Sequence, residues 1–225
     1  MQIAKIIAVT VLGVLGYSVV KANTNKPTQP TIDPPPPTVP TANELSLDRA
    51  FKNAIVQRFG NLSSIQKDSL EEIFGAWEIY GDGDRNKLAY IIATAYWESK
   101  MQPIKERRAR AGTKLYDIQN RYWLTGYYGR GFVQLTWERN YEKMSKFLGV
   151  DLVNNTDLAL NPRYAARILV YGMMNGSFTR KKLSDYINSG KQDFFNARKT
   201  VNGTDKAAII EGYTVDILNN LRFTA

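Results

Sequence analysis

The 225-residue chain contains no cysteine and no histidine. Lack of cysteine removes disulfides, thiol nucleophiles and thiolate metal sites. Lack of histidine removes Ser-His-Asp and Cys-His chemistry and the usual zinc ligand. Carboxylates are left as the natural proton-transfer groups, and neither a cofactor nor a metal is expected. Proline is scarce except in one stretch, because seven of the nine lie between Asn23 and Asn43. Long apolar runs are also scarce. The longest uncharged one near the start, Ile6 to Val20, falls between the core of a signal peptide and a full membrane span of about 20 residues.

Residues 1–22 therefore read as a hydrophobic helix that is either an uncleaved membrane anchor, with Lys5 and Lys21 reaching the two interfaces, or a signal segment cleaved near Val20-Lys21-Ala22. Either reading exports the remainder or displays it on a membrane surface, in a virion membrane or a host cell envelope. Residues 23–43 form a proline-rich linker without glycine, a semi-rigid spacer of roughly 65 Å in polyproline geometry. Residues 44–225 are long enough for one domain with its own core.

Within that domain, Leu88, Ile91, Ile92 and Ala95 recur at helical spacing and define a buried face that also carries Glu98, at the end of the helix. Burial and the negative end of the helix dipole both raise the pKa of such a carboxyl group, which suits a general acid. The plain alternative is a helix-end glutamate turned to water. Pro103 breaks the helix before Glu106, so the two carboxylates are not stations on one rod, where eight residues would span roughly 12 Å. A bend allows a separation of about 6.5–9.5 Å, the spacing of inverting glycoside hydrolysis. Arg107, Arg108 and Arg110 follow Glu106 and would hold it ionised as a base; an exposed loop of surface ion pairs fits the same charges.

A third stretch, Tyr127-Tyr128-Gly129-Arg130-Gly131-Phe132-Val133-Gln134-Leu135-Thr136-Trp137-Glu138-Arg139-Asn140-Tyr141, sets glycines around an arginine and short polar groups among aromatic faces. That mixture suits a carbohydrate, and equally an ordinary turn with packed aromatics.

Ala95-Tyr96-Trp97-Glu98-Ser99, Met101-Gln102-Pro103-Ile104-Lys105-Glu106 and Tyr127-Tyr128-Gly129-Arg130-Gly131 together resemble the family 19 glycoside hydrolases, in particular the phage endolysin branch related to plant chitinases. The likeness continues through Asn161-Pro162 and Ala165–Leu169 to Ala197–Gly203. It implies a mainly α, lysozyme-like domain with a small loop and strand lobe, and inverting hydrolysis of β-1,4 links between N-acetylated sugars. It also implies roles. Glu98 would be the acid, Glu106 the base, and Thr136 a hydroxyl that holds the attacking water, while Tyr127, Arg130, Gln134, Asn140 and Asn202 would line the sugar cleft. Trp97 stands where many relatives have His, and the interval from Glu98 to Glu106 is shorter than in close phage relatives. Glu138 is the reserve candidate for the base.

Amphipathic helices are expected over 47–59 and 65–80, then a turn at 82–86 with Asp84 capping the next helix rather than a calcium loop, since Lys87 and Ala93 replace the Gly and Glu such a loop needs. Tyr116, Tyr122 and Trp123 belong to an irregular lobe, as sugar platforms or as packing. Asn161-Pro162 starts a helix through Met174, and further helices are expected over 179–188, 193–201 and 205–221. The formal charge is +9, of which +2 precedes Glu44, so the domain keeps +7. A basic surface on an exported protein points to anionic peptidoglycan rather than to nucleic acid, for which no motif is present. A peptidoglycan hydrolase of endolysin or virion lysozyme type is the resulting expectation. A chitinase, a lytic transglycosylase and a non-catalytic wall-binding or virion structural protein are its rivals, and oligomeric state is not encoded legibly.

Overall fold

Ser63 accepts a hydrogen bond from the Gln66 amide while Gln66 Oε1 accepts one from the Ser63 amide, a reciprocal cap that fixes the start of α2 (Ser64–Tyr80) after α1 (Ala42–Phe59). The computed structural model describes residues 42–223. The expected leader and all but the last two residues of the linker lie outside them. α3 (Arg85–Ser99) begins where Asp84 accepts from the Asn86 amide at 2.9 Å, and Lys87 pairs with Asp82, so the 82–86 stretch is a capped turn.

Spacing had suggested one buried face on α3, yet Leu88, Ala89, Tyr90, Ile91, Ile92, Ala93 and Ala95 are all buried. A helix apolar on every side is a central element, not a surface one. α8 (Ala207–Phe223) packs on it and on α1, while α6 (Pro162–Asn175) packs on α2 and also touches α3. The helix ends ahead of Pro103: Lys100 and Met101 both take left-handed backbone, φ 55 and 53, and turn the chain away just after Glu98.

β1 (Ile104–Lys105) then pairs antiparallel with β2 (Arg130–Gly131) and closes a lobe holding α4 (Lys114–Gln119) and a 3-10 turn at Trp123–Thr125. α5 (Glu138–Leu148), a helix not expected from the residue pattern, follows the lobe. Asn161 caps α6 with Pro162 at its first position, as expected.

The helix expected over 179–188 is replaced by a 3-10 turn at Leu183–Asp185 and a hairpin of β3 (Ile187–Asn188) with β4 (Lys191–Gln192). Three local causes are visible. Arg180 has φ 67, Thr179 donates its hydroxyl to the Lys199 carbonyl at 2.5 Å, and Asn188 Oδ1 accepts from the Gly190 amide at 3.0 Å, closing the hairpin. The 193–201 stretch is α7 (Phe194–Ala197) continued by a 3-10 turn at Arg198–Thr200. The described domain is mostly helical with small strands. Among the described residues no helix is long and apolar enough to cross a membrane.

Candidate active site

Because α3 runs through the core and ends at a cleft, its last turn carries Glu98 from the interior to the cleft wall. The side chain keeps 17% exposure. Burial pushes its carboxyl above the ordinary glutamate range, while the neighbouring Arg198 guanidinium works against that rise and leaves the net shift upward. Arg198 Nη1 lies 2.5 Å from Glu98 Oε1, an ion-pair contact in which neither atom has a well-aligned hydrogen bond. Arg198 is itself buried and donates through Nε to the Asp205 carbonyl at 3.1 Å.

The cleft, about 350 Å³ in volume, is walled by Glu98, Gln134, Thr136, Trp137, Asn140 and Asn202 among others. Thr136 donates its hydroxyl to the Gln134 carbonyl at 2.8 Å, which leaves the Oγ lone pairs free to accept from a water. Asn140 donates to the Thr136 carbonyl at 2.7 Å and steadies the same wall from α5. Gln134 and Trp137 both hold positive φ, 53 and 74. Strained non-glycine positions of this kind cost about 1–3 kcal/mol each and collect at functional sites.

Glu106 is not among the side chains lining that cleft but neighbours Gln134 of its wall across Gly129. A Cβ placed on Gly129 would meet Gln134 Oε1 at 2.8 Å and the Glu106 Cβ at 3.2 Å, so both side chains flank the same glycine. The Glu106 carboxylate accepts from Tyr122 Oη at 2.7 Å, Gln119 Nε2 at 2.9 Å and the Gly129 amide at 2.9 Å. A carboxylate offers about four acceptor positions, so one remains, on the oxygen bound only by Gly129. Neutral donors surround Glu106, not the arginines expected from the charge pattern. Among the described residues Arg107 and Arg110 form no ion pair, and Arg108 instead lies over the Tyr116 and Trp123 rings at 4.2 and 4.9 Å and bonds Asn120.

Two residues expected in the cleft are placed elsewhere. Arg130 is buried, and its guanidinium binds Asp157 at 2.8 Å, the Gly126 and Tyr128 carbonyls at 2.9 and 3.1 Å, and Tyr141 Oη at 3.0 Å. It fastens the Gly126–Gly129 loop to α5. Tyr127 packs on Tyr141, ring centroids 5.3 Å apart, and donates its hydroxyl to the Val153 carbonyl at 3.3 Å. Trp137, 41% exposed, and Phe178 are the aromatic side chains that line the cleft. Glu138 is exposed at the start of α5, beside a second hollow lined by Trp137 and Arg139. Arg198 was missed as a site residue, although it lies in a stretch that carried the family likeness.

Residues 107–177 match the family model for glycoside hydrolase family 19, described as chitinase class I; both Glu98 and Glu106 lie just before the matched span. Over 65 residues, 28% of this chain and 20% of the relative, the sequence is 35% identical to endochitinase A2 of Pisum sativum. Over 62 residues, 27% of this chain and 20% of the relative, it is 37% identical to inactive chitinase-like protein 1 of Hevea brasiliensis. The chain thus spans about a fifth of the length of these curated relatives. Chitinase C from Streptomyces griseus HUT6037 shares the fold, with a TM-score of 0.54 at 16% identity over 82% of this chain and 79% of that one. The resemblance to family 19 glycoside hydrolases read from the motifs is supported by these matches.

Proposed function

We propose that the domain is a glycosidase that cuts β-1,4 bonds between N-acetylated sugars of peptidoglycan by a single displacement with inversion. The observation that carries the reading is Glu98 itself, a largely buried carboxyl with a raised pKa that opens onto a cleft lined by Gln134, Thr136, Asn140 and Asn202. In its protonated form Glu98 gives a proton to the leaving oxygen. A water that donates one hydrogen to Thr136 Oγ and the other to the open acceptor position of Glu106 attacks from the opposite face of the sugar. Arg198 then balances the carboxylate left on Glu98.

Trp137 supplies an apolar face for a sugar ring. Arg130 and Tyr127 act from behind the cleft, by holding the loop that presents the Gly129 amide to Glu106. Peptidoglycan is favoured as substrate by the +7 charge of the domain, which matches an anionic wall, and by the apolar leader, which points to export and to a role in lysis or entry of a phage type. Chitin is the second reading, favoured because the relatives named above are chitinases or chitinase-like.

The test is digestion of purified peptidoglycan and of chitin by the full chain, Glu98→Gln and Glu106→Gln, with fragment masses. Reducing, hydrated ends from peptidoglycan, lost in both variants, are expected. Release from chitin alone would move the substrate. Anhydro ends with Glu106→Gln still active would indicate a transglycosylase, and no release from either polymer would indicate a binding or structural protein.

A further inference from the structure

The lobe between β1 and β2 is cationic and also exposes large apolar side chains. Residues 104–126 hold six basic side chains, Lys105, Arg107, Arg108, Arg110, Lys114 and Arg121, against only Glu106 and Asp117. Arg107, Arg110, Lys114 and Arg121 are exposed, and among the described residues none forms an ion pair. Beside them stand the two most exposed large apolar side chains of the described residues, Leu124 at 93% and Leu115 at 53%, with Ile118 at 41%.

Leu115 and Ile118 share a face of α4 at i and i+3. Leu124 tips the 3-10 turn, which is fastened to α4 because the Arg108 guanidinium lies over both Tyr116 and Trp123, the neighbours of Leu115 and Leu124. One guanidinium thus ties together the two turns that expose the leucines.

We propose that this lobe docks on an anionic lipid surface, with Leu115, Ile118 and Leu124 entering the headgroup boundary and Arg107, Arg110, Lys114 and Arg121 meeting lipid phosphates. Charge complementarity fixes the sign of the partner. The apolar tips separate lipid from a wall polyanion, since a soluble phosphate polymer offers nothing to bury a leucine, whereas the acyl boundary does. The contact is independent of residues 1–22 and of whether the cleft turns over substrate.

The chain has no cysteine, so Leu124→Cys in the full chain gives a unique site for an environment-sensitive fluorophore. Vesicles of phosphatidylglycerol and phosphatidylcholine in equal parts are expected to shift its emission to the blue and to quench it through nitroxide-bearing lipids. Phosphatidylcholine alone should do neither. Combining Arg110→Gln and Arg121→Gln should abolish the shift at physiological salt, with the near-ultraviolet circular dichroism unchanged. A fluorophore that stays in water while the chain sediments with anionic vesicles would overturn the proposal. So would a shift produced by purified peptidoglycan carrying phosphate polymer and not by vesicles.

Discussion

Arg198 and Glu98, a hundred residues apart in the sequence, approach to 2.5 Å between Nη1 and Oε1, one in the turn after α7 and the other in the last turn of α3. Burial favours the neutral acid and the guanidinium favours the carboxylate, so the pair tunes one proton.

The raised pKa of Glu98 has a stability signature. Below the ordinary value of 4.5 both folded and unfolded chains hold the proton, and no pH dependence arises from this group. As pH climbs from there through the raised folded value, the unfolded chain releases its proton first, so wild type loses stability relative to Glu98→Gln. Urea unfolding of the two proteins across that window should show the gap changing in this direction and levelling off above it. Arg198→Met should move the alkaline limb of kcat/KM to higher pH, because the influence that lowers the Glu98 pKa is gone. It should also cost about 3–5 kcal/mol of stability, as expected for breaking a buried pair.

Tyr122→Phe keeps the ring, its edge contact with Trp137 and its packing, and removes one of the three donors to Glu106. A loss of about 1.5–3 kcal/mol, typical of a hydrogen bond to a charged group, is expected in urea unfolding. The rate should fall more than tenfold if Glu106 activates the water, whereas a purely structural carboxylate would leave kcat unchanged.

Gly129→Ala inserts a methyl that meets Gln134 Oε1 at 2.8 Å and the Glu106 Cβ at 3.2 Å. Glu106 and Gln134 are pushed apart across the wall of the cleft. On the proposed function, release of fragments from peptidoglycan should drop by at least tenfold while the thermal midpoint moves only a few degrees. Equal loss of both would show that the glycine serves packing alone.

Arg130→Lys cannot reproduce four simultaneous contacts from one planar fork. Destabilisation by roughly 3 kcal/mol and a parallel fall in activity are expected in a melt and an assay done together. Asp157, which Lys105 and Arg130 hold below its ordinary pKa, contributes stability present above the unfolded value and lost as pH falls through the folded one. That acid-side loss should shrink in the variant.

Much of the architecture was legible because it is written locally. Asp84, and Asn161 with Pro162, are caps that act within a turn of themselves, and the apolar spacing of α2 does much of the rest. The site was less so. Arg198 has Lys199 beside it and reads as a surface charge until Glu98, a hundred residues earlier, is set against it. Arg130 read as a ligand because an arginine between two glycines is open in sequence, yet its partners Asp157 and Tyr141 come from later in the chain. The 179–188 stretch failed as a helix because Thr179 finds its acceptors near Lys199, a long-range contact that no helical periodicity announces.

The central position of α3 carries a consequence for biogenesis. Its apolar surface is fully covered only when α8 has returned to pack against both α3 and α1, each more than a hundred residues earlier in the chain. A ribosome that has synthesised everything through α6 has therefore made a chain whose central helix still lacks its main partner, and incompletely packed chains of this kind are prone to aggregate. Glu98 and Arg198 come from α3 and from the turn before α8, so the pair cannot form until nearly the whole domain has been synthesised.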